Sequence, residues 1–186
     1  FEVKKNKTFI KQFGDKKLPE GIIVSGEIKN TAAFSAFLNS CFKNTGIENV
    51  IASLPEEKAF LDVIELPKMN LSEIRKNIAV QIENYFPIKS AEAIFDYQII
   101  SSTANFFDIL VTVFPRRIVE EYQNALLNAG IKPLIFELEA EALRIALAGK
   151  NDPAVKMIVD FGKTRSTFVI TARDNILFTT TIKISG

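Results

Sequence analysis

One stretch of this sequence has residue types and spacing that suggest chemistry: Asp160-Phe161-Gly162-Lys163-Thr164-Arg165-Ser166-Thr167-Phe168. A strand that ends in Asp-x-Gly and runs through small polar residues into another strand can turn backbone N–H groups and hydroxyls toward a phosphate. Its aspartate can hold a metal-bound water. The same residues also make an ordinary β-hairpin with glycine at a tight turn, and the stretch alone does not separate the two.

Other chemistries are excluded more firmly. Asp-Phe-Gly matches the metal-binding triplet of protein kinases, but a kinase also needs a catalytic-loop histidine and a Gly-rich loop, and both are missing. There is no Walker A loop and no G-x-G-x-x-G. The chain has no histidine at all, which removes Ser-His-Asp and Cys-His catalysis and His-ligated zinc. The single cysteine, Cys41, fits a reducing compartment and reads as a small buried apolar side chain. The pairs Glu56/Glu57 and Glu120/Glu121 read as solvated. Arg116 and Arg117 open a helix, where positive charge opposes the macrodipole, and read as water-exposed. With 23 basic and 22 acidic side chains the net charge is +1, which argues against a nucleic-acid partner. No run approaches the ~18–20 apolar residues of a membrane span.

The candidate hairpin must be positioned by α/β elements. Phe1–Lys5 and Lys7–Phe13 read as a hairpin turning near Asn6, and Ile22–Val24 as a short extended piece. Asn30 or Thr31 can cap a helix with Phe34, Phe37, Leu38, Cys41 and Phe42 on one face, ended by Gly46. Val50–Leu54 is an apolar strand. From Ala59 to Phe136 the pattern is β-α-β-β-α-β. It comprises an alternating strand ending at Pro67 and a helix opened by Asn70 and Glu73 in capping-box spacing, with Leu71, Ile74, Ile78, Ile82 and Phe86 on one face. Strands Ala93–Ser101 and Phe106–Phe114 follow, then a helix from Pro115 to a left-handed cap at Gly130, and a closing strand Ile131–Phe136. The unit is expected to be self-contained, with Ile78, Ile82, Ile109, Val111 and Leu126 in one core and both helices on one face of its sheet. A helix then ends at Gly149, and Lys150-Asn151-Asp152-Pro153 reads as a linker. Val155–Phe161 reads as a central, mostly buried strand, and Arg165–Ala172 with Ile176–Ile184 as a hairpin around Arg173-Asp174-Asn175. Phe1 already lies in strand-like sequence, so the chain is expected to be cut at its front edge.

Several segments together resemble the PilM family of type IV pilus assembly proteins, actin-like relatives of the division protein FtsA. They are Leu18–Asn30, Glu65–Ile88 (E-L-P-K-M-N-L-S-E-I-R-K-N-I-A-V-Q-I-E-N-Y-F-P-I), Phe95–Ile100, Arg116–Pro133 and Val159–Ile170. The resemblance implies an α/β fold, a partial actin-like (ribonuclease H-like) fold with an inserted β-α-β-β-α-β subdomain. Residues 1–58 and 137–152 would form an incomplete first subdomain, 59–136 the insert, and 153–186 the opening of a second half. It further implies a cytoplasmic adaptor peripheral to the inner membrane, reaching the membrane only through its partner. That partner is the N-terminal cytoplasmic tail of a PilN-like membrane protein, bound between the first subdomain and the insert; self-association is a second implied contact. Leu66, Pro67, Lys68, Met69 and Asn70 are the expected groove residues. ATP and magnesium belong to the family's intact protein. Asp160, Gly162, Lys163, Thr164, Ser166 and Thr167 match its second phosphate hairpin, with Asp160 toward the metal. The first phosphate hairpin and the adenine-side subdomain have no counterpart in this sequence, so it is expected to bind nucleotide weakly or not at all. Lys163 and Arg165 stand where the family has small residues. An FtsA-like division protein and a phosphotransferase or ATPase of the same superfold are the alternatives.

Overall fold

Backbone pairing sorts these patterns into five small sheets and four helices among the residues that the computed structural model describes: 2–4, 7–10, 12–148, 153–163 and 165–183. The expected turn at Asn6, the helix stop at Gly149, linker residues 150–152 and Thr164 lie outside them. Strand β1 (Glu2–Lys4) pairs antiparallel with β2 (Lys7–Phe9). A second hairpin, not anticipated, joins β3 (Ile23–Val24) to β4 (Glu27–Ile28) through Ser25 and Gly26, both at positive φ. Helix α1 (Thr31–Phe42) follows, and the Asn30 side chain caps it by accepting from the Ala33 N–H at 3.0 Å. It stops short of Gly46, and Cys41 is half-buried rather than enclosed. Next come β5 (Asn49–Leu54), a 3₁₀ turn at Glu56–Lys58, β6 (Phe60–Pro67), α2 (Leu71–Tyr85) and β7 (Ala93–Ser102). They are followed by β8 (Phe106–Pro115), α3 (Arg116–Asn128), β9 (Lys132–Leu138) and α4 (Glu139–Leu147). A meander of β10 (Val155–Phe161), β11 (Ser166–Ala172) and β12 (Asn175–Ile182) comes last.

The expected β-α-β-β-α-β order is present as β6-α2-β7-β8-α3-β9, but two of its relations differ. The sheet holds three strands, β6-β8-β7, and β9 pairs in parallel with β5 instead of closing it. The two helices also cover opposite faces of that sheet. The reason lies in β8, which is apolar on both sides. Ile109 and Val111 join Ile64 and Leu66 against Ile74, Ile78 and Ile82 of α2. One residue out of phase, Leu110 and Phe114 meet Val119 and Tyr122 of α3, together with Leu54 and Leu138. A strand with two apolar faces needs cover on both. Leu126 accordingly leaves the expected core and packs with Ala129 and Ile131 against Leu38, Phe42 and Val50.

Smaller differences have local causes. Leu71, read onto the apolar face of α2, is 63% exposed at its first turn. The capping box is replaced by a backbone bond, Glu73 N–H to the Asn70 carbonyl at 2.9 Å. Helix α3 ends as expected: the Ile131 N–H reaches the Leu126 carbonyl at 3.0 Å across Gly130 at φ +78°. Strand β10 is an edge strand, not a central one. Val155, Met157 and Phe161 stay 65–73% exposed on its outer side, while Ile158 faces the shared core.

Gly26 is held at φ +71°, and a Cβ there would lie 2.8 Å from the Pro55 Cβ. Gly26→Ala should lower unfolding free energy by about 2 kcal/mol in urea denaturation, combining left-handed strain with a clash. Gly21→Ala, with similar φ but open space around it, should cost about half as much.

Candidate functional site

The β10–β11 hairpin places Asp160 opposite Thr167 in its ladder. At its turn the Gly162 N–H donates to the Arg165 carbonyl at 2.9 Å, and a Cβ on Gly162 would sit 2.8 Å from that oxygen. Only glycine allows this approach. Beside the turn lies a cavity of about 630 Å³ whose polar lining is Ser53, Glu139, Asp160, Gly162, Lys163 and Arg165. Asp160, Gly162 and Lys163 are thus brought together. Ser166 and Thr167 are enclosed instead, only 1% and 3% exposed, and the Thr167 hydroxyl lies 3.1 Å from that of Thr181.

Arg165 is committed elsewhere. It donates to both carboxylate oxygens of Glu139, at 2.9 and 2.8 Å, and pairs with Glu57. The described residues therefore fit a phosphate poorly. The glycine N–H is already used, and Arg165 is shared between Glu57 and Glu139. The Asp160 carboxylate thus faces the cavity with Lys163 as the one lining cation not committed to an ion pair among the described residues. Among the described residues no group of three His, Cys, Asp or Glu side chains is arranged to hold a metal.

Glu56, read as solvated, is 5% exposed. Helix α4 begins after Leu138, which has no side chain able to cap it. Glu56 supplies the cap from another element, its Oε2 accepting from the Ala140 N–H at 3.2 Å. Among the described residues its Oε1 has no partner at full hydrogen-bond geometry, though the Thr179 hydroxyl is near enough to act on the carboxyl. Burial pushes the carboxyl above its ordinary range, while the Thr179 hydroxyl and the Ala140 amide pull it back; Glu139 raises it again and Arg165 lowers it. Glu57 is likewise not free but paired with Arg165. Glu121 pairs with Arg117 at 2.7 Å. A carboxylate directly after an apolar strand and Pro55, with no polar spacer, was the available signal for Glu56.

A second cavity, about 430 Å³, opens between the β6-β8-β7 sheet and the β5-β9 pair. Five consecutive residues of β7, Ile94–Gln98, and four of β9, Ile135–Leu138, line it. Side chains alternate faces along a strand, so consecutive lining residues mean that the cavity meets both strands edge-on. Both strands are the outer members of their sheets among the described residues. Leu54, Leu61 and Phe114 give the cavity an apolar floor. Leu66, Pro67, Lys68, Met69 and Asn70, the residues expected to line a groove, do not line this cavity. Leu66 is 1% exposed, because its position on β6 turns it onto α2; as a groove residue it is corrected. Lys68 lies over the Phe107 ring at 3.9 Å and bonds to Ser102. Pro67, Met69 and Asn70 line neither cavity.

An α/β scaffold with this insert between β5 and β9 is an actin-like fold. Solved structures share it, among them these two. The "PilM-PilN type IV pilus biogenesis complex" superposes with TM-score 0.80 at 20% identity, over 92% of this chain and 54% of that one. The cytoplasmic domain of EpsL, an inner membrane component of the type II secretion system of Vibrio cholerae, gives TM-score 0.55 at 12% identity, over 87% and 60%. The chain spans about half the length of the first. No curated protein matches the sequence. The family model for type IV pilus assembly protein PilM matches residues 1–186, and the chain belongs to that family.

Two outcomes follow from the hairpin and Glu56. Calorimetry with Mg-ATP should give no binding below about a millimolar; micromolar binding abolished by Asp160→Ala would show that the hairpin does hold phosphate. For Glu56, the folded carboxyl keeps its proton to higher pH than the unfolded one. Its contribution to stability is therefore complete below the ordinary value of 4.5 and is lost as pH rises through the raised one. Glu56→Gln should remove this loss, so that its thermal midpoint gains on the unmodified protein as pH climbs from 4.5 and levels off above the raised value.

Proposed function

We propose that this protein is a cytoplasmic adaptor of the type IV pilus, or a related secretion machine, and binds the N-terminal tail of a PilN-like membrane protein. The cleft between the β7 and β9 edges supports this reading best. Two unpaired strand edges over an apolar floor are suited to an extended peptide, with backbone hydrogen bonds fixing register and side-chain pockets giving selectivity. The structural relative described as a PilM-PilN complex makes a PilN-like protein the first partner to test. No helix of the described residues is long and apolar enough to cross a membrane, in keeping with attachment through that partner. ATP and magnesium belong to this reading as ligands of the family's intact protein, with Asp160, Gly162 and Lys163 the residues of this chain nearest that role.

A few anchoring side chains contribute roughly 1.5–3 kcal/mol each when buried. Ordering the tail offsets part of this, so affinity should be about micromolar. Fluorescence polarisation with a labelled PilN-like tail is the test. Ile135→Asp, on the cleft wall, should weaken binding at least about tenfold. Val80→Asp, on the exposed side of α2 and 81% exposed, should leave it unchanged. No saturable binding below about a millimolar by the folded protein would remove the adaptor reading.

A further inference from the structure

The charged side chains around the β7–β9 cleft are one-sided. Asp96, Glu137 and Glu141 line it, and among the described residues no lysine or arginine does. Two of these carboxylates are already answered. Glu141 takes two bonds from Arg144, at 2.6 and 2.9 Å, and exposed Asp96 lies 3.4 Å from Arg75. Glu137 is different. It is half-buried on β9 beside Ile135, and among the described residues its carboxylate has neither a hydrogen bond nor an ion pair. Whatever fills the cleft takes water away from this group. An occupant without a donor would leave a charge desolvated and unmatched, which is costly; one with a cation would convert that cost into a charge-assisted hydrogen bond.

From this we infer that the cleft selects an extended apolar segment of about five residues that carries a cationic side chain, a lysine or arginine, seated on Glu137. The inference rests on the peptide-groove reading and adds the chemistry of its occupant. The edge-on walls set the extended shape, and the consecutive residues Ile94–Gln98 set the length. Like charge is excluded by the same Glu137 carboxylate that attracts the opposite one.

The test uses three fluorescein-labelled ten-residue peptides that alternate leucine and asparagine and differ only at a central arginine, glutamine or glutamate. Against the purified protein the arginine peptide should bind roughly tenfold tighter than the glutamine one. The glutamate peptide should bind weakest, and the preference should shrink with added salt. Glu137→Gln should bring the arginine and glutamine affinities together without moving the thermal midpoint. Equal affinities for all three peptides, or an arginine preference that survives Glu137→Gln, would overturn the charge inference alone. Failure of all three to bind would overturn the inference and the groove together, as would a dimer on size-exclusion chromatography that closes the cleft to every peptide.

Discussion

Strand β8 is apolar on both faces, and the rest of the molecule is arranged around the need to cover them. One face takes α2; the other takes α3 together with β5 and β9. Because the second face is shared with β5, β9 and the closing meander, the insert is not a bead on a string. Its three-stranded sheet is fixed against the β5–β9 pair, and the cleft is the gap left where two twisted sheets meet edge to edge. Fully buried isoleucines such as Ile78 and Ile109 contribute roughly 1.5–3 kcal/mol apiece relative to exposure. The position of the cleft therefore inherits its precision from the core of β8.

A second organising feature is polar. The three residues of the 3₁₀ turn each reach a different element: Glu56 caps α4, Glu57 pairs with Arg165 of the β10–β11 turn, and Lys58 meets Glu27 of β4 at 2.8 Å. Lys29, followed by Lys58, holds the Glu27 carboxyl down at about 2. Tyr122 adds a bond from its hydroxyl to the Gly26 carbonyl at 3.3 Å, and burial raises its pKa to about 12. Exposed ion pairs are worth about 0–1 kcal/mol each. Their value here is in orientation, since they set how the meander and the β3–β4 hairpin sit on the shared core.

Much of this was legible beforehand, and the misses share one cause. Periodicity and punctuation located α2, the β7–β8 hairpin and the Gly130 cap, because those are local: Pro87 cannot continue a helix, and glycine accepts positive φ. Pairing partners are not local. Nothing in Ile131–Phe136 says that β5 is its neighbour, and a second helix can cover either face of an apolar strand. The same limit applied to the site. Asp160, Gly162 and Lys163 were found as a motif, while the engagement of Arg165 by Glu57 and Glu139 depends on contacts far apart in sequence. The cleft is made of strand edges, which no motif marks. Glu56 was missed because a charged residue is usually solvated, and its exception depends on where α4 begins.

The β5–β9 pairing carries a consequence for how the chain is made. Asn49 pairs with Lys132 in parallel, with the whole insert synthesised between them. At roughly 5–20 residues per second, a ribosome leaves β5 without its neighbour for on the order of ten seconds. The β7–β8 hairpin, by contrast, closes locally, with Ser102 against Phe107, and is free to collapse first. Assembly order is thereby built into topology: the insert serves as the template on which β5 and β9 are brought together. Damage to it would be felt at the ribosome as misassembly before it was felt in the finished protein as lost stability.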